Sequence, residues 1–169
     1  MVTPLFRVRS RELMGSSSRC RGCPHRSTVA GTREYVRGLA RAAEAAHGKR
    51  AFGLWEGEDL VGYADDEPEI TDGTVPGDVN LTYAVHARAR GRGVAVAAVG
   101  LLVKNLARTG AGRAAILRID PDNPASLRVA EKAGSPRVGE FLSTTDRHED
   151  GTPARLLLLR RPQPPADHG

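Results

Sequence analysis

The chain has 169 residues, a formal net charge of +5, 27% charged residues and 4% aromatic residues. That length suits one domain able to bury roughly 70% of the surface its unfolded chain exposes. No apolar run reaches the ~20 residues of a membrane helix, and the opening "MVTPLFRVRS" lacks the apolar core of a secretory signal. The expectation is a soluble, cytoplasmic protein with no membrane partner.

In chain order, residues 1–31 read as a poorly ordered N-terminal arm holding at most one edge strand, in "PLFRVRSREL". Cys20 and Cys23, with His25 close by, have the spacing of a zinc or redox pair. A structural zinc site needs four ligands and no second pair follows, so reduced thiols and no metal are expected. Thr32 caps a predicted helix through about Ala46, with Val36, Leu39, Ala40 and Ala43 on one face and Gly48 as its stop. "AFGLW" and "LVGYA" flank "EGED" as a hairpin, and a loop rich in Asp, Glu and Pro follows over 65–78. "VNLTYAV" alternates as a strand with Val79, Leu81, Tyr83 and Val85 on one face.

A helix is predicted from about Gly93 to Arg108, with Val94, Ala97, Ala98, Leu101 and Leu102 inward. "AAILRI" is a short strand. "DPDNPASLRVAEKAG" is a turn and helix, with Pro124 in its first turn and Gly134 at its end. "VGEFLST" and "ARLLLLR" are two strands joined around "EDGT". Leu156 to Leu159 would put two side chains on each face, so both faces must be covered, within the sheet or at a dimer contact. Monomer and homodimer both stay open. The pattern is an α/β domain over 32–161 with a mixed sheet and a frayed tail at 162–169.

The segment "ARARGRGVAVAAV", from Ala87 to Val99, carries the chemistry. Two glycines between a strand and a helix let backbone approach a ligand, and a helix start offers unpaired N–H groups to an anion. Arg88, Arg90 and Arg92 add charge. A P-loop is excluded because Val94 and Ala95 follow Gly93. The dinucleotide fingerprint is excluded because Val96 stands at its sixth position. Nucleic-acid binding would want aromatics among the arginines for base stacking, and "ARARGRG" holds none. Taken alone, the loop reads equally as a phosphate site or as a tight turn with solvated arginines.

"RARGRG", Arg88 to Gly93, fits the pattern Gln/Arg-x-x-Gly-x-Gly/Ala. About 30 residues on, "NPASLRVAEKAG" has an Asn-x-x-Ser element and a short helix ending in Lys-x-Gly. In this order and spacing the two motifs resemble the GNAT superfamily of acyl-CoA-dependent N-acetyltransferases, most closely the branch of ribosomal-protein N-terminal (alanine) acetyltransferases. The resemblance covers roughly residues 32 to 161. It implies a mixed, mostly antiparallel, V-shaped sheet flanked by helices, splayed between its fourth and fifth strands. Acetyl-CoA is the implied co-substrate, lying in the gap, and no metal is implied.

By the same resemblance, Ala84, Val85 and His86 pair with the pantetheine arm. The backbone of Arg88, Arg90, Gly91, Arg92, Gly93, Val94 and Ala95 holds the pyrophosphate, while Asn123 and Ser126 approach from the other side. The implied reaction is direct transfer of an acetyl group to a primary amine, either a protein N-terminus or a small molecule. Ser126 has two readings, proton donor to the departing thiol or a turn residue of the Asn123 loop. His86 has the intrinsic pKa of a base but also the place of a plain loop histidine. Glu140 on a late strand is the third catalytic candidate, against an ordinary exposed carboxylate. Tyr83 reads as core, with its hydroxyl at the cleft rim.

The chain departs from the family pattern at three places. Asn80 stands where a glutamate is common, Ala130 where a tyrosine is common, and Ser135 where an aromatic is common. The first two departures support the other reading, a catalytically weak or inactive acyl-CoA-binding regulatory domain of the same fold, and the third removes some packing of the last strands.

Overall fold

The structure, a computed structural model, describes residues 6–9 and 48–163. Cys20, Cys23, His25, the helix expected over 32–46 and the tail from 164 lie outside the described residues. The described strands are β1 (Phe6–Arg9), β2 (Arg50–Glu56), β3 (Asp59–Glu67), β4 (Asp78–Val85), β5 (Ala114–Ile119), β6 (Arg137–Arg147) and β7 (Pro153–Pro162). Helix α1 (Val94–Thr109) follows β4 after a 3-10 turn at Ala87–Ala89, and α2 (Pro124–Lys132) follows β5.

One sheet holds all seven strands in the order β1-β2-β3-β4-β5-β7-β6. Every pairing is antiparallel except β4 beside β5. This is the mixed, mostly antiparallel sheet that the motif pair implied, and β1 is its edge strand. Among the described residues no helix is long and apolar enough to cross a membrane.

The core lies between the sheet and α1. Val79 and Leu81 of β4 pack with Val94, Ala98, Val99, Leu102, Val103 and Leu106 of α1, and with Leu117, Ile119, Leu157 and Leu159. The inward face of α1 differs from the one expected. Leu101 is 39% exposed and Ala97 is only half-buried, while Val99, Val103 and Leu106 are buried. The run "VAVAAVGLLV" is apolar all round, so periodicity could not select a face; packing against β4 did.

Strand β3 also runs further than expected. Asp65, Asp66 and Glu67 belong to it rather than to a loop starting at 65. Cations on the neighbouring strand segment hold these carboxylates in the ladder. Arg50 Nε donates to Asp66 Oδ1 at 2.8 Å, and Lys49 Nζ lies 3.4 Å from Asp65 and 3.5 Å from Glu67. Burial pushes the pKa of both Asp65 and Asp66 up, against these cations.

The leucine run falls inside the sheet. β7 is hydrogen-bonded to β5 on one side and β6 on the other, and Leu156, Leu157 and Leu159 are buried. β6 is then the sheet's second edge, and most of its residues are exposed.

The loop between β3 and β4 is clasped to β6 by one carboxylate. Asp72 accepts from Ser143 Oγ at 2.6 Å, Thr144 N at 2.9 Å, Thr144 Oγ1 at 2.9 Å and Thr145 Oγ1 at 3.1 Å. Arg118 Nη1 on β5 adds a charged bond at 2.8 Å. Burial by itself would raise the pKa of Asp72, but the bonds from Ser143, Thr144 and Thr145 outweigh it and hold the group well below the usual carboxylate range.

An unfolded Asp titrates near ~3.9. With a lower folded pKa, the Asp72 clasp stabilises the fold fully above that pH and loses its effect as pH falls through the folded value. Asp72→Asn should cost about 2–4 kcal/mol at neutral pH, read as a lower urea midpoint. The variant should also lose less stability than the wild type on going from about pH 5 to pH 3.

Candidate active site

The parallel pairing of β4 and β5 is short. Asp78 faces Ala114, Val79 faces Ala115, Asn80 faces Ile116, and there the register ends. β3 stays paired with β4 as far as Val85. Beyond Asn80 the sheet therefore opens into a split between β4 and β5, at their carboxyl ends.

The closed end of the split is tightly held. Arg113 N–H donates to the Gly77 carbonyl at 2.6 Å. A β-carbon on Gly112 would lie 2.5 Å from Val79 Cγ2 and 2.8 Å from the Gly77 oxygen, so only glycine lets the two strands start this close. Arg160 Nε on β7 reaches past β5 to buried Asp78 at 3.0 Å.

Strand alternation decides which backbone groups line the opening. His86 N–H donates to the Val61 carbonyl at 2.9 Å, so His86 and its alternates face β3. The N–H and C=O of Tyr83 and Val85 face the split. The Val85 carbonyl accepts from Arg90 Nε at 3.1 Å.

After β4 the chain turns through Ala89, which is buried in the core, and then through Gly91 and Gly93. Both glycines are left-handed, with φ of 75° and 81°, and a β-carbon at either would meet nothing within 4 Å. Conformation, not crowding, calls for glycine here, and the surface before them is open. Gly93 caps α1 with no side-chain hydrogen bond, and the first turn holds no acidic residue. Ala97 N–H is the first to bond back, to the Gly93 carbonyl at 2.9 Å. The earlier N–H groups of α1 point out of the helix start, at the positive end of its dipole.

The three arginines of the loop are tied to the protein. Arg88 Nη2 donates to the Leu60 carbonyl at 3.3 Å and lies 3.8 Å from Asp59, and Arg92 pairs with Glu56. With Arg90 on Val85, they fasten the loop to β4 and to the β2–β3 hairpin.

Across the split stands the turn after β5. Asn123 caps α2, its Oδ1 accepting from Ser126 N–H at 3.1 Å. The Tyr83 hydroxyl is buried and makes no hydrogen bond. Burial pushes its pKa up, and the Ser126 hydroxyl lies near enough to oppose that shift. Val85 and the Arg88–Ala95 loop thus lie at the carboxyl end of β4, and Asn123 and Ser126 follow that of β5, but the backbone groups of Ala84 and His86 are turned to β3, so of the three residues expected to pair with a pantetheine arm only Val85 faces the split.

Glu140 does not join them. It lies on edge strand β6, with β5 and β7 between it and β4, and pairs with Arg137 at 2.7 Å and Arg155 at 3.6 Å. Asn80 is buried and donates to Thr82 Oγ1 at 3.4 Å, Ala130 is buried in α2, and Ser135 is buried beyond it. Among the described residues no His, Cys, Asp and Glu cluster could hold a metal ion.

Residues 3–135 match the family model described as acetyltransferase (GNAT) domain. No curated protein matches the chain. Among solved structures, the chain is similar to the microcin C7 self-immunity acetyltransferase MccE in complex with acetyl-CoA and AMP. That match has a TM-score of 0.67 at 12% identity, over 80% of this chain and 72% of that one. It is similar to the ribosomal-protein-S5-alanine acetyltransferase of Vibrio fischeri, with a TM-score of 0.67 at 15% identity over 82% and 74%. RimJ of Mycobacterium smegmatis, in complex with CoA-disulfide, gives 0.68 at 19% identity over 79% and 62%. At these identities the likeness is one of fold.

The cap of α2 can be tested by itself. Asn123→Ala should cost about 1 kcal/mol in thermal or urea unfolding, and Asn123→Ser should recover most of it. Equal losses in both variants would mean that Asn123 acts other than as a cap.

Proposed function

The chain belongs to the acetyltransferase (GNAT) family, and from that premise we propose that it moves an acetyl group from acetyl-CoA to a primary amine, a protein N-terminus or a small molecule, by direct attack with both substrates bound. The observation that carries this reading is the split. Unpaired backbone groups of β4 line it, and an uncapped, acid-free helix start stands at its mouth.

Acetyl-CoA supplies the activated acyl group. Its pyrophosphate suits the open N–H groups of α1 behind Gly91 and Gly93. Its pantetheine amides suit the N–H and C=O of Tyr83 and Val85, with Arg90 giving up the Val85 carbonyl. A β4 N–H facing the split stabilises negative charge as it develops on the acyl oxygen. Asn123 holds the α2 turn in place, and Ser126 offers a hydroxyl to the departing sulfur. His86 stands at the end of the same strand as a candidate base.

Amine basicity matters because Asn80 replaces a carboxylate. An α-amine titrates near ~8 and leaves about a tenth of its molecules neutral at pH 7, whereas lysine at ~10.4 leaves fewer than about one in a thousand. A site with little base strength therefore suits an N-terminal amine or another amine of low pKa. Asn80 and Ala130 also favour the second reading, an acyl-CoA-binding domain with slow or no turnover.

Calorimetric titration with acetyl-CoA should give micromolar binding. Gly93→Asp, which sets a carboxylate at the helix start on a left-handed residue, should weaken it at least about tenfold. Incubation with acetyl-CoA and a peptide bearing a free N-terminal alanine, an N-blocked lysine peptide or small primary amines should show transfer to at least one by mass. Absence of acetyl-CoA binding would overturn both readings; binding without transfer would favour the second.

A further inference from the structure

Arg92 stands between Gly91 and Gly93, one residue before the cap of α1, and its guanidinium pairs with Glu56. Glu56 is the last residue of β2. Its backbone is paired with Phe6 of β1 on one side and with Asp59 of β3 on the other, so it is a fixed point. Nothing lies within 4 Å of where the β-carbons of Gly91 and Gly93 would stand. Glycine also has the most backbone freedom to lose on ordering. Within 91–93 a side-chain hold on the turn can come only from Arg92.

Charge around the loop is matched. The turn between β2 and β3 carries Glu56, Glu58 and Asp59, beside a loop that carries Arg88, Arg90 and Arg92. Arg92 pairs with Glu56, and Arg88 lies 3.8 Å from Asp59. These six side chains bring no net charge to the mouth of the split. Free guanidinium groups would draw in any polyanion from a distance. The N–H groups of a helix start act only on an anion that reaches the first turn.

We infer that Glu56 is a positioning residue for the cofactor: it holds Arg92, and with it the Gly91–Gly93 turn, so that the phosphates meet oriented backbone N–H groups in a mouth without net charge. This rests on the acetyltransferase reading above. The effect of Glu56 then has the opposite sign to that of its charge. An acid near an anion site repels the ligand, so by Coulomb attraction alone its removal would tighten binding. Here its removal frees Arg92 and loosens the turn, and the ligand must order the loop when it arrives.

The test is a cycle of Glu56→Gln, Arg92→Gln and the double variant, titrated calorimetrically with acetyl-CoA. Glu56→Gln keeps the shape of the side chain in an exposed pair, so its unfolding midpoint should stay near that of the wild type. It should still weaken acetyl-CoA binding about three- to fivefold, as should Arg92→Gln, and the double variant should bind no more weakly than the weaker single one. In turnover, KM for acetyl-CoA should rise by the same factor with kcat and KM for the amine unchanged, because the pair acts on the loop alone. A second readout needs neither turnover nor ligand. Amide hydrogen exchange over residues 89–97 should be faster in Glu56→Gln than in the wild type.

Equal or tighter acetyl-CoA binding by Glu56→Gln, losses that multiply in the double variant, or unchanged exchange over 89–97 would each overturn the inference. A wild type that binds no acetyl-CoA while exchange over 89–97 still responds to Glu56→Gln would overturn the cofactor role assigned to Glu56, leave its hold on the turn standing, and place the fault in the acetyltransferase reading.

Discussion

The site depends on a pairing that stops early. Two parallel strands that continued side by side would seal the sheet and leave no room for a ligand in its plane. Here β4 and β5 share three residue pairs and then part. The closed end is fixed by the Arg113–Gly77 backbone bond, the glycine contact at Gly112 and the Arg160–Asp78 pair. Because it is rigid, the divergence beyond it has a defined direction. Each strand then delivers its own helix start, α1 after β4 and α2 after β5, to opposite sides of one opening. The carboxyl ends of parallel strands are where open α/β sheets place their ligands, and a single parallel pair within an antiparallel sheet is sufficient.

The electrostatics of the opening come more from backbone than from side chains. Arg88, Arg90 and Arg92 look from composition like a basic grip. In the fold they meet Asp59, the Leu60 and Val85 carbonyls, and Glu56. Exposed pairs of this kind add roughly 0–1 kcal/mol each to stability. Their effect is to hold a glycine-rich loop against the hairpin so that the N–H groups at the start of α1 keep a fixed aim. An anion bound there meets dipoles already oriented, with no side-chain entropy to lose.

Much of this was legible in the residues. The strand–glycine loop–helix order and the Asn-x-x-Ser turn set out the elements that follow β4 and β5, and strand alternation in "VNLTYAV" put Val79 and Leu81 in the core. The failures have physical causes. An all-apolar α1 carries no phase information, so its inward face came out rotated. Asp65 to Glu67 look like loop until Lys49 and Arg50 are seen beside them. Glu140 is on a late strand as expected, but strand order, which spacing does not encode, sets β7 and β5 between it and the split. The family match starts at residue 3 rather than near 32, where the motif resemblance began, and the edge strand read in "PLFRVRSREL" is Phe6–Arg9.

Apart from the His86 imidazole just past the end of β4, the polar groups near the split form a consistent set. Asn80, Thr82, Tyr83 and Ser126 are amides and hydroxyls, while the carboxylates of β3 are buried against Lys49 and Arg50. Such a surface can orient and donate, but it draws little proton from a strongly basic amine. Acyl transfer asks most of the base when the nucleophile is a lysine and least when it is an α-amine, and it asks little of the acid because a thiolate is already a good leaving group. Under the proposed reaction, the loss of a carboxylate at position 80 and a tyrosine at position 130 is tolerable only for amines at the low end of that range. Replacing charge by oriented hydroxyls ties acceptor choice to the chemistry of the site, before any contact with the rest of the acceptor is made.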